Sequence, residues 1–577
     1  MNKLNPLYES ISYQSAIGIA IVSAVFSIVI ATLVAVNVYS NEVSVPVRST
    51  ELEKMKEQAK ANPTDQTLAE LILQTDTQLR RDQFAGLYFV KRGTILLVVT
   101  LVLLVGSIIW AVSHHPKHPE VSPPLDLKTH QVRQASLTRT TLSIAAILLC
   151  SVALFWVLHA PQIEMDADDG GAVASLYASA EEMESQWPVF RGPGGLGICH
   201  FENIPDTWYG PSGKNILWKT PIPLPGHNSP IVWNDRIFLT GATEDKQQVF
   251  CFDADSGKLL WSGDVSIPAN PARDDMDIME DTGHAACTAV TDGRRVCAIF
   301  AGGDIGCFSA DGNLLWEKHL GIPDSMYGYA ASLTAYEKNI IIQWDVGYDE
   351  GDESKSKLIS LDWQTGNTVW ETHRPVPNSW SSPTVVKIAQ EYQILTTASP
   401  FVIAYDAKTG TELYRTECIE GDIASLPIFS DNKIFAIEPY NKLVAVNTEN
   451  ASGDVTETHI LWETEEEMPD ICSPVANGQF IWTLTTEGLL GCYNVTDGEE
   501  VYTHQIKGSF QASPTLVADT IYLLAEDGTT LIVGTGSEYT ELKRNELGEK
   551  CYASPAFQDD RIYIRAKGNL YAIGTAE

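Results

Sequence analysis

VFCFDADSGKLLW, residues 249–261, reads as a strand, a tight turn and a second strand ending on tryptophan. Apolar and polar positions alternate with the two-residue period of a half-buried strand. Ser256-Gly257 supplies the turn, because glycine accepts a positive φ without steric cost. Asp253 and Asp255 flank it, where a carboxylate can accept from nearby backbone N–H groups. The unit returns as IGCFSADGNLLW (305–316), LISLDWQTGNTVW (358–370) and VIAYDAKTGTELY (402–414), with weaker copies HILW (459–462) and LLGCYNVTDGEEVY (489–502). Asp311, Asp362 and Asp406 hold the turn position in three copies. A flat residue closes each: Trp261, Trp316, Trp370, Tyr414, Trp462 and Tyr502. Such a side chain suits a structural task, wedging between neighbouring sheets.

The unit also has a regular start. Ser229-Pro230, Ser382-Pro383, Leu426-Pro427, Ser473-Pro474, Ser513-Pro514 and Ser554-Pro555 each precede an apolar strand, and degenerate starts fall near Ala289 and Leu333. Eight starts about 40–60 residues apart give the period of a β-propeller. The last unit has the strands DRIYIRA and NLYAIG but no terminal aromatic strand. NILWKT (215–220), ahead of the first start, supplies one with Trp218. A borrowed strand of that kind closes a ring without open edges. The expectation is an all-β propeller of eight blades over 187–577, behind a linker at 161–186.

The first 160 residues read differently. Three apolar runs, 15–38, 94–112 and 141–159, each contain about 20 residues without an acid, lysine or arginine. That length spans a hydrocarbon core of about 30 Å as a helix, so three transmembrane helices are expected. The first is too long, and too poor in small-residue cleavage sites, for a signal peptide. Between the first two, at about 50–90, Thr50 and Glu53 form a capping-box pattern, Asn62-Pro63 breaks the helix, and leucines resume at helical spacing. This reads as a helical hairpin. The loop around it holds eight basic residues, against four in 113–140, which by charge alone places it in the cytoplasm; its eight acids offset that signal.

Charge divides along the same boundary. Residues 1–160 hold 13 Lys/Arg and 11 Asp/Glu, whereas 161–577 hold 26 and 63. A surface this acidic repels nucleic acid and favours solubility. Two acidic stretches, with Asp274, Asp275, Asp277, Glu280 and Asp281, and with Asp349, Glu350, Asp352 and Glu353, lack EF-hand spacing and read as solvated insertions rather than Ca²⁺ loops. Ten cysteines include no CxxC, no adjacent pair and no CxxCH, and read as small buried apolar residues. No phosphate-cradling glycine loop, zinc spacing or nucleophile–His–Asp signature stands out.

Loops just before the starts should line one mouth of the ring. They bring His227, Asn228 and His284 to that mouth from the first units, and Tyr327, Tyr329 and Trp380 from the next. Asp422, Asp470, Gln511 and Tyr552 follow from the last four. Aromatic residues with polar tips suit a peptide or glycan.

The AxDxxTGxxxW units resemble the PQQ-repeat family, which includes quinoprotein dehydrogenases and outer-membrane-protein assembly propellers. WPVFRGPGGLG (187–197) resembles the opening of many membrane- or periplasm-associated members. The resemblance implies one of two functions. A quinoprotein alcohol or sugar dehydrogenase would hold PQQ and Ca²⁺, and needs basic side chains for the three quinone carboxylates. The mouth loops contain almost no arginine; Lys550 is their main basic residue, and adjacent cysteines are absent. The alternative, favoured here, is a non-catalytic binding or scaffold module with no cofactor, no metal and no catalytic residue. Its expected partner is a protein or a cell-envelope ligand. Members of this family usually act in the periplasm, so the resemblance implies a multi-pass protein of the bacterial inner membrane with a periplasmic propeller.

Overall fold

The computed structural model describes residues 176–270, 278–280, 282–325, 327–347 and 355–575, together with helical positions between 17 and 30, at 100 and at 104–110. The chain divides into two compact units, Met1–Gly171 and Ala172–Glu577.

In the first unit, the described positions of the first two apolar runs are helical. The buried Ser27 hydroxyl lies 2.8 Å from Thr100 Oγ1, which joins the two runs. Among the described residues no helix is long and apolar enough to cross a membrane. The expected third span and the hairpin at 50–90 lie outside the described residues.

The second unit is an eight-bladed propeller. Its described residues form eight sheets, which span 231–265, 290–319, 334–373, 384–417, 428–465, 475–505, 515–546 and 556–573. They are called blades 1 to 8. Each is an antiparallel meander whose fourth strand, at the rim, is the most exposed; in blade 1 Ile231–Trp233 is fully buried and Leu259–Val265 largely exposed. Blade 8 takes its fourth strand from Ile216–Pro221, which pairs antiparallel with Asn569–Ile573 and sets Trp218 opposite Ala572. Blade 7 gains Ile198–Cys199 parallel to its first strand, and blade 4 gains Gly453–Asp454 parallel to its fourth.

The repeated turn explains how blades dock. Asp362 Oδ1 accepts from the N–H groups of Gln364 and Thr365 and from the Thr365 hydroxyl, and Asp406 does the same for Lys408 and Thr409. The following glycine, Gly366, has φ +68°, and a Cβ there would lie 2.6 Å from the Trp316 ring of the preceding blade. Trp218 covers Gly257, Trp261 covers Gly312, Trp370 covers Gly410 and Trp462 covers Gly498 in the same way. Glycine is therefore required twice, for the turn and for the indole above it. Four of these indoles also donate Nε1 to a carbonyl of the next blade: Trp218 to Ala254, Trp261 to Ala310, Trp316 to Trp363 and Trp462 to Val495, at 2.9–3.3 Å. Tyr414 and Tyr502 differ. Tyr414 donates to Gln393 within its own blade, and Tyr502 accepts from Trp482 in its own blade.

All eight blades shift register between the third and fourth strands, for example between Cys251 and Phe252 and between Leu314 and Trp316. Where the bulge is followed by a tryptophan, as at Trp218, Trp261, Trp316, Trp370 and Trp462, the extra residue turns the indole sideways towards the next blade; blade 7 has Lys543 at that position. In blade 1 the two residues before the indole, Leu259 and Leu260, are left exposed.

The segment 187–197 crosses the ring on the side of the Asp/Gly turns. Trp187 exchanges backbone hydrogen bonds with Val232 of blade 1, and the Pro188 carbonyl accepts from Thr291 of blade 2. The Arg191 guanidinium, buried, donates to the carbonyls of Pro474 and Pro514 in blades 6 and 7. Helix α1, Ala180–Glu184, precedes it with a capping box between Ser179 and Glu182; the stretch expected as linker thus joins the propeller from Leu176 onward.

The cysteines correct one expectation. Cys297 and Cys307 face each other on adjacent strands of blade 2 and form a disulfide. The other described cysteines are buried thiols, with burial pushing Cys199 and Cys251 up to about 12.

Candidate functional site

The starts of the eight blades form a belt around the axis. Ser229 N–H donates to Thr288 Oγ1, Thr288 N–H to Ser332 Oγ, and Ser332 N–H to Ser382 Oγ, at 2.7–3.0 Å. The series resumes from Leu426 N–H to Ser473 Oγ, from Ser473 to Ser513 and from Ser513 to Ser554, at 2.9–3.0 Å. Each hydroxyl thus receives the backbone of the preceding blade. The degenerate starts read near Ala289 and Leu333 are Thr288-Ala289 and Ser332-Leu333, which keep the hydroxyl. Leu426 breaks the belt, having none to offer.

Beside this belt lies a cavity of about 200 Å³ that reaches Phe190 of the crossing segment. Of the residues expected at the mouth, His227, Trp380, Gln511 and Tyr552 line it. Trp380 is fixed by its Nε1, 3.2 Å from Ser325 Oγ, and by Tyr327, whose ring meets it edge-on at 5.1 Å. His227 and Tyr552 pack together with ring centres 5.1 Å apart. Gln511 Nε2 donates to Glu526, 3.0 Å away. The lining also includes Phe190, Thr282, Ile471 and the hydroxyl-bearing residues Ser229, Thr288, Ser332, Ser382 and Ser554. No Lys, Arg, Asp or Glu is among the described lining residues.

The other expected mouth residues lie elsewhere. Asn228 is buried inside the wall, where its amide donates to the carbonyls of Thr240 and Ala285 and its oxygen accepts from Thr240 N–H and Arg565. Tyr329 is buried, donates to the Gln343 carbonyl and stacks on Trp344; burial pushes its hydroxyl pKa up. His284 is half-buried beside the mouth, and burial pulls its imidazole pKa down. Asp470 accepts from Thr486 and Tyr440 outside the cavity, and Asp422 is exposed.

Sequence reasoning missed Phe190 and the belt. The belt had a signal, the repeated Ser-Pro, but it was legible only as a strand start.

Two buried guanidiniums stand behind the walls. Arg565 donates to Asn228 Oδ1 and the Thr240 carbonyl, and burial lowers it to about 9. Arg374 pairs with Asp345 at 2.7 Å, both fully buried, and also reaches Thr396 and Tyr405. Ser379 and Gln343 complete that network at Asp345. It fixes the backbone next to Trp380. Glu280 is the only described member of the two acidic stretches; the rest lie outside the described residues. Among the described residues no group of three or more His, Cys, Asp or Glu is arranged to hold a metal ion.

Solved structures similar to this chain include BamB from Moraxella catarrhalis, 14% identical over 62% of this chain and 99% of that one, with a TM-score of 0.45. A quinohemoprotein alcohol dehydrogenase from Comamonas testosteroni is 11% identical over 68% and 82%, with a TM-score of 0.48. The computationally designed Ika8 protein is 13% identical over 62% and 99%, with a TM-score of 0.45. No curated protein sequence matches the chain. One family's sequence model covers more than half of the chain, at 207–335, 354–454 and 454–577, so the chain belongs to the PQQ-repeat family described as outer membrane protein assembly factor BamB.

Proposed function

We propose that this chain is a membrane-anchored propeller that holds a protein or cell-envelope ligand at its mouth and catalyses no reaction. The observation that carries the reading is the cavity lining. It joins aromatic faces, the His227 imidazole, an amide and hydroxyls without a described carboxylate, lysine or arginine, a surface suited to recognition of an uncharged ligand. The quinoprotein reading fits these residues poorly. Three quinone carboxylates need cationic partners, yet Arg565 and Arg374 are committed inside the walls and Lys550 is exposed.

The three apolar runs supply the anchor, and the propeller lies in the periplasm of a bacterial inner membrane. The family assignment supports that side, as does the Cys297–Cys307 disulfide, since such bonds persist in oxidising compartments. Cross-linking and pull-down of the intact membrane protein should capture a partner that Trp380→Ala loses. Uptake of PQQ with Ca²⁺, followed by alcohol-dependent dye reduction, would replace this reading with the dehydrogenase. Protease added to spheroplasts should digest the propeller; resistance until lysis would reverse the orientation.

A further inference from the structure

We infer that the axial cavity is a binding site for one ring of an uncharged saccharide. The inference rests on the mouth being a ligand site and names the ligand's chemistry.

Three features converge on it. The first is a set of directed donors. A serine or threonine hydroxyl has one O–H proton and two acceptor positions. Thr288, Ser332, Ser382 and Ser554 each already accept a backbone N–H, and among the described residues none donates to another protein group. Their protons are left for whatever fills the cavity they line. Gln511 adds an amide: one Nε2 proton goes to Glu526, and the carbonyl oxygen can accept.

The second feature is a pair of flat walls. Trp380 precedes blade 4 and Tyr552 precedes blade 8, so they stand four blades apart, on opposite sides of an eight-blade ring. Trp380 is held by Ser325 and Tyr327, and Tyr552 packs against His227. Fixed aromatic faces beside polar groups match a molecule with C–H faces and a hydroxylated edge.

The third is size and charge. At about 30 Å³ per molecule, a cavity of about 200 Å³ holds roughly six or seven waters. One hexose ring, with its oxygens around the edge, replaces such a cluster and reproduces its hydrogen bonds. An acidic ligand finds no cation in the lining, and it meets Asp470 and Glu526 nearby. A cationic one finds no carboxylate in the lining.

The test is isothermal titration of the full-length protein in detergent with glucose, N-acetylglucosamine and glucuronate. The expected result is saturable one-to-one binding of at least one neutral sugar, with glucuronate weaker. Trp380→Ala should weaken that binding tenfold or more, and Ser382→Ala several-fold. If Trp380→Ala does not fold, Ser382→Ala and Gln511→Ala carry the test, with melting temperature as the folding control. No saturable binding of either neutral sugar, or undiminished binding in the folded variants, overturns the inference. A cross-linker placed at the mouth separates the two readings. Specific, Trp380-dependent capture of a protein without sugar binding removes the saccharide and leaves a protein-binding mouth; absence of both removes the binding module as well.

Discussion

Two residues show how narrowly single positions are constrained. Among the described residues Asp345 is the only carboxylate bonded to the fully buried Arg374, and Ser379 and Gln343 depend on the same carboxylate. Asp345→Ala leaves that guanidinium uncompensated, so a loss of about 3–5 kcal/mol is expected, read as a lower urea midpoint. Asp345→Asn should lose less, because the amide oxygen still accepts. Gly366→Ala should cost at least about 1–2 kcal/mol for its left-handed backbone alone, and more because the new methyl meets the Trp316 ring. The double variant Gly366→Ala with Trp316→Ala should be less destabilised than the two single changes summed, which a double-mutant cycle would detect. Single positions were legible in the sequence where the repeat fixed the environment, as with the indole of Trp316, which the structure sets over Gly366. Asn228 and Tyr329 were not legible in this way, and the structure turns both into the wall. Both sit in loops at the right height, but a loop's sequence does not tell whether a side chain turns into the axis or back into the wall. The disulfide needed the hairpin register: Cys297 and Cys307 face each other once a turn is placed at 300–304. Gly302-Gly303 signals a turn there, but the dipeptide does not fix which residues of the two strands pair across it.

At the level of elements, the closing strand 216–221 was legible because NILWKT resembles the strand that the last unit lacks. The carboxylate that supports it was not. Glu549, in the loop from blade 7 to blade 8, accepts from Gly568 N–H, Asn569 and Tyr571 and pairs with Lys219 of the closing strand at 3.1 Å. Burial alone raises its pKa, but the hydrogen bonds from Gly568, Tyr571, Lys219 and Asn569 outweigh burial and hold it below the ordinary carboxylate range. A depressed carboxylate stabilises the fold above its unfolded pKa, about 4.3, and that contribution is lost as pH falls through the folded value. Glu549→Gln should therefore be less stable than the parent at pH 7, and the gap should close as the pH drops below about 4. Urea midpoints of both proteins across pH 3–7 check this. The bulges were beyond the sequence, since each is defined by pairing between strands and not by either strand alone.

For the molecule as a whole, the blade count followed from local repeats, whereas the cavity depended on all eight blades at once. The belt joins seven hydroxyl-bearing starts, and the crossing segment reaches blades 1, 2, 6 and 7. A chain cut to residues 172–577 should fold as a soluble propeller with one cooperative unfolding transition. Removing 187–221 as well should abolish that transition, because blade 8 loses its outer strand and blades 6 and 7 lose Arg191. Residues 172–577 hold 26 basic and 59 acidic residues, and the excess acidic charge repels itself, so added salt should raise the melting temperature of the 172–577 chain, most of the gain coming by about 0.15 M.

The pairing of Ile216–Pro221 with Asn569–Ile573 also sets the order of biogenesis. These strands meet across some 350 residues of chain, the most costly kind of contact for a folding chain to make. Blades 1 to 7 can each zip up as they are synthesised, but the early strand has no partner until Ile573 has been made. During that interval its exposed edge is available to the wrong neighbour. Ring closure is therefore the step at which a holding chaperone would matter most, and a premature stop anywhere in blade 8 should be as damaging as the loss of Trp218 itself.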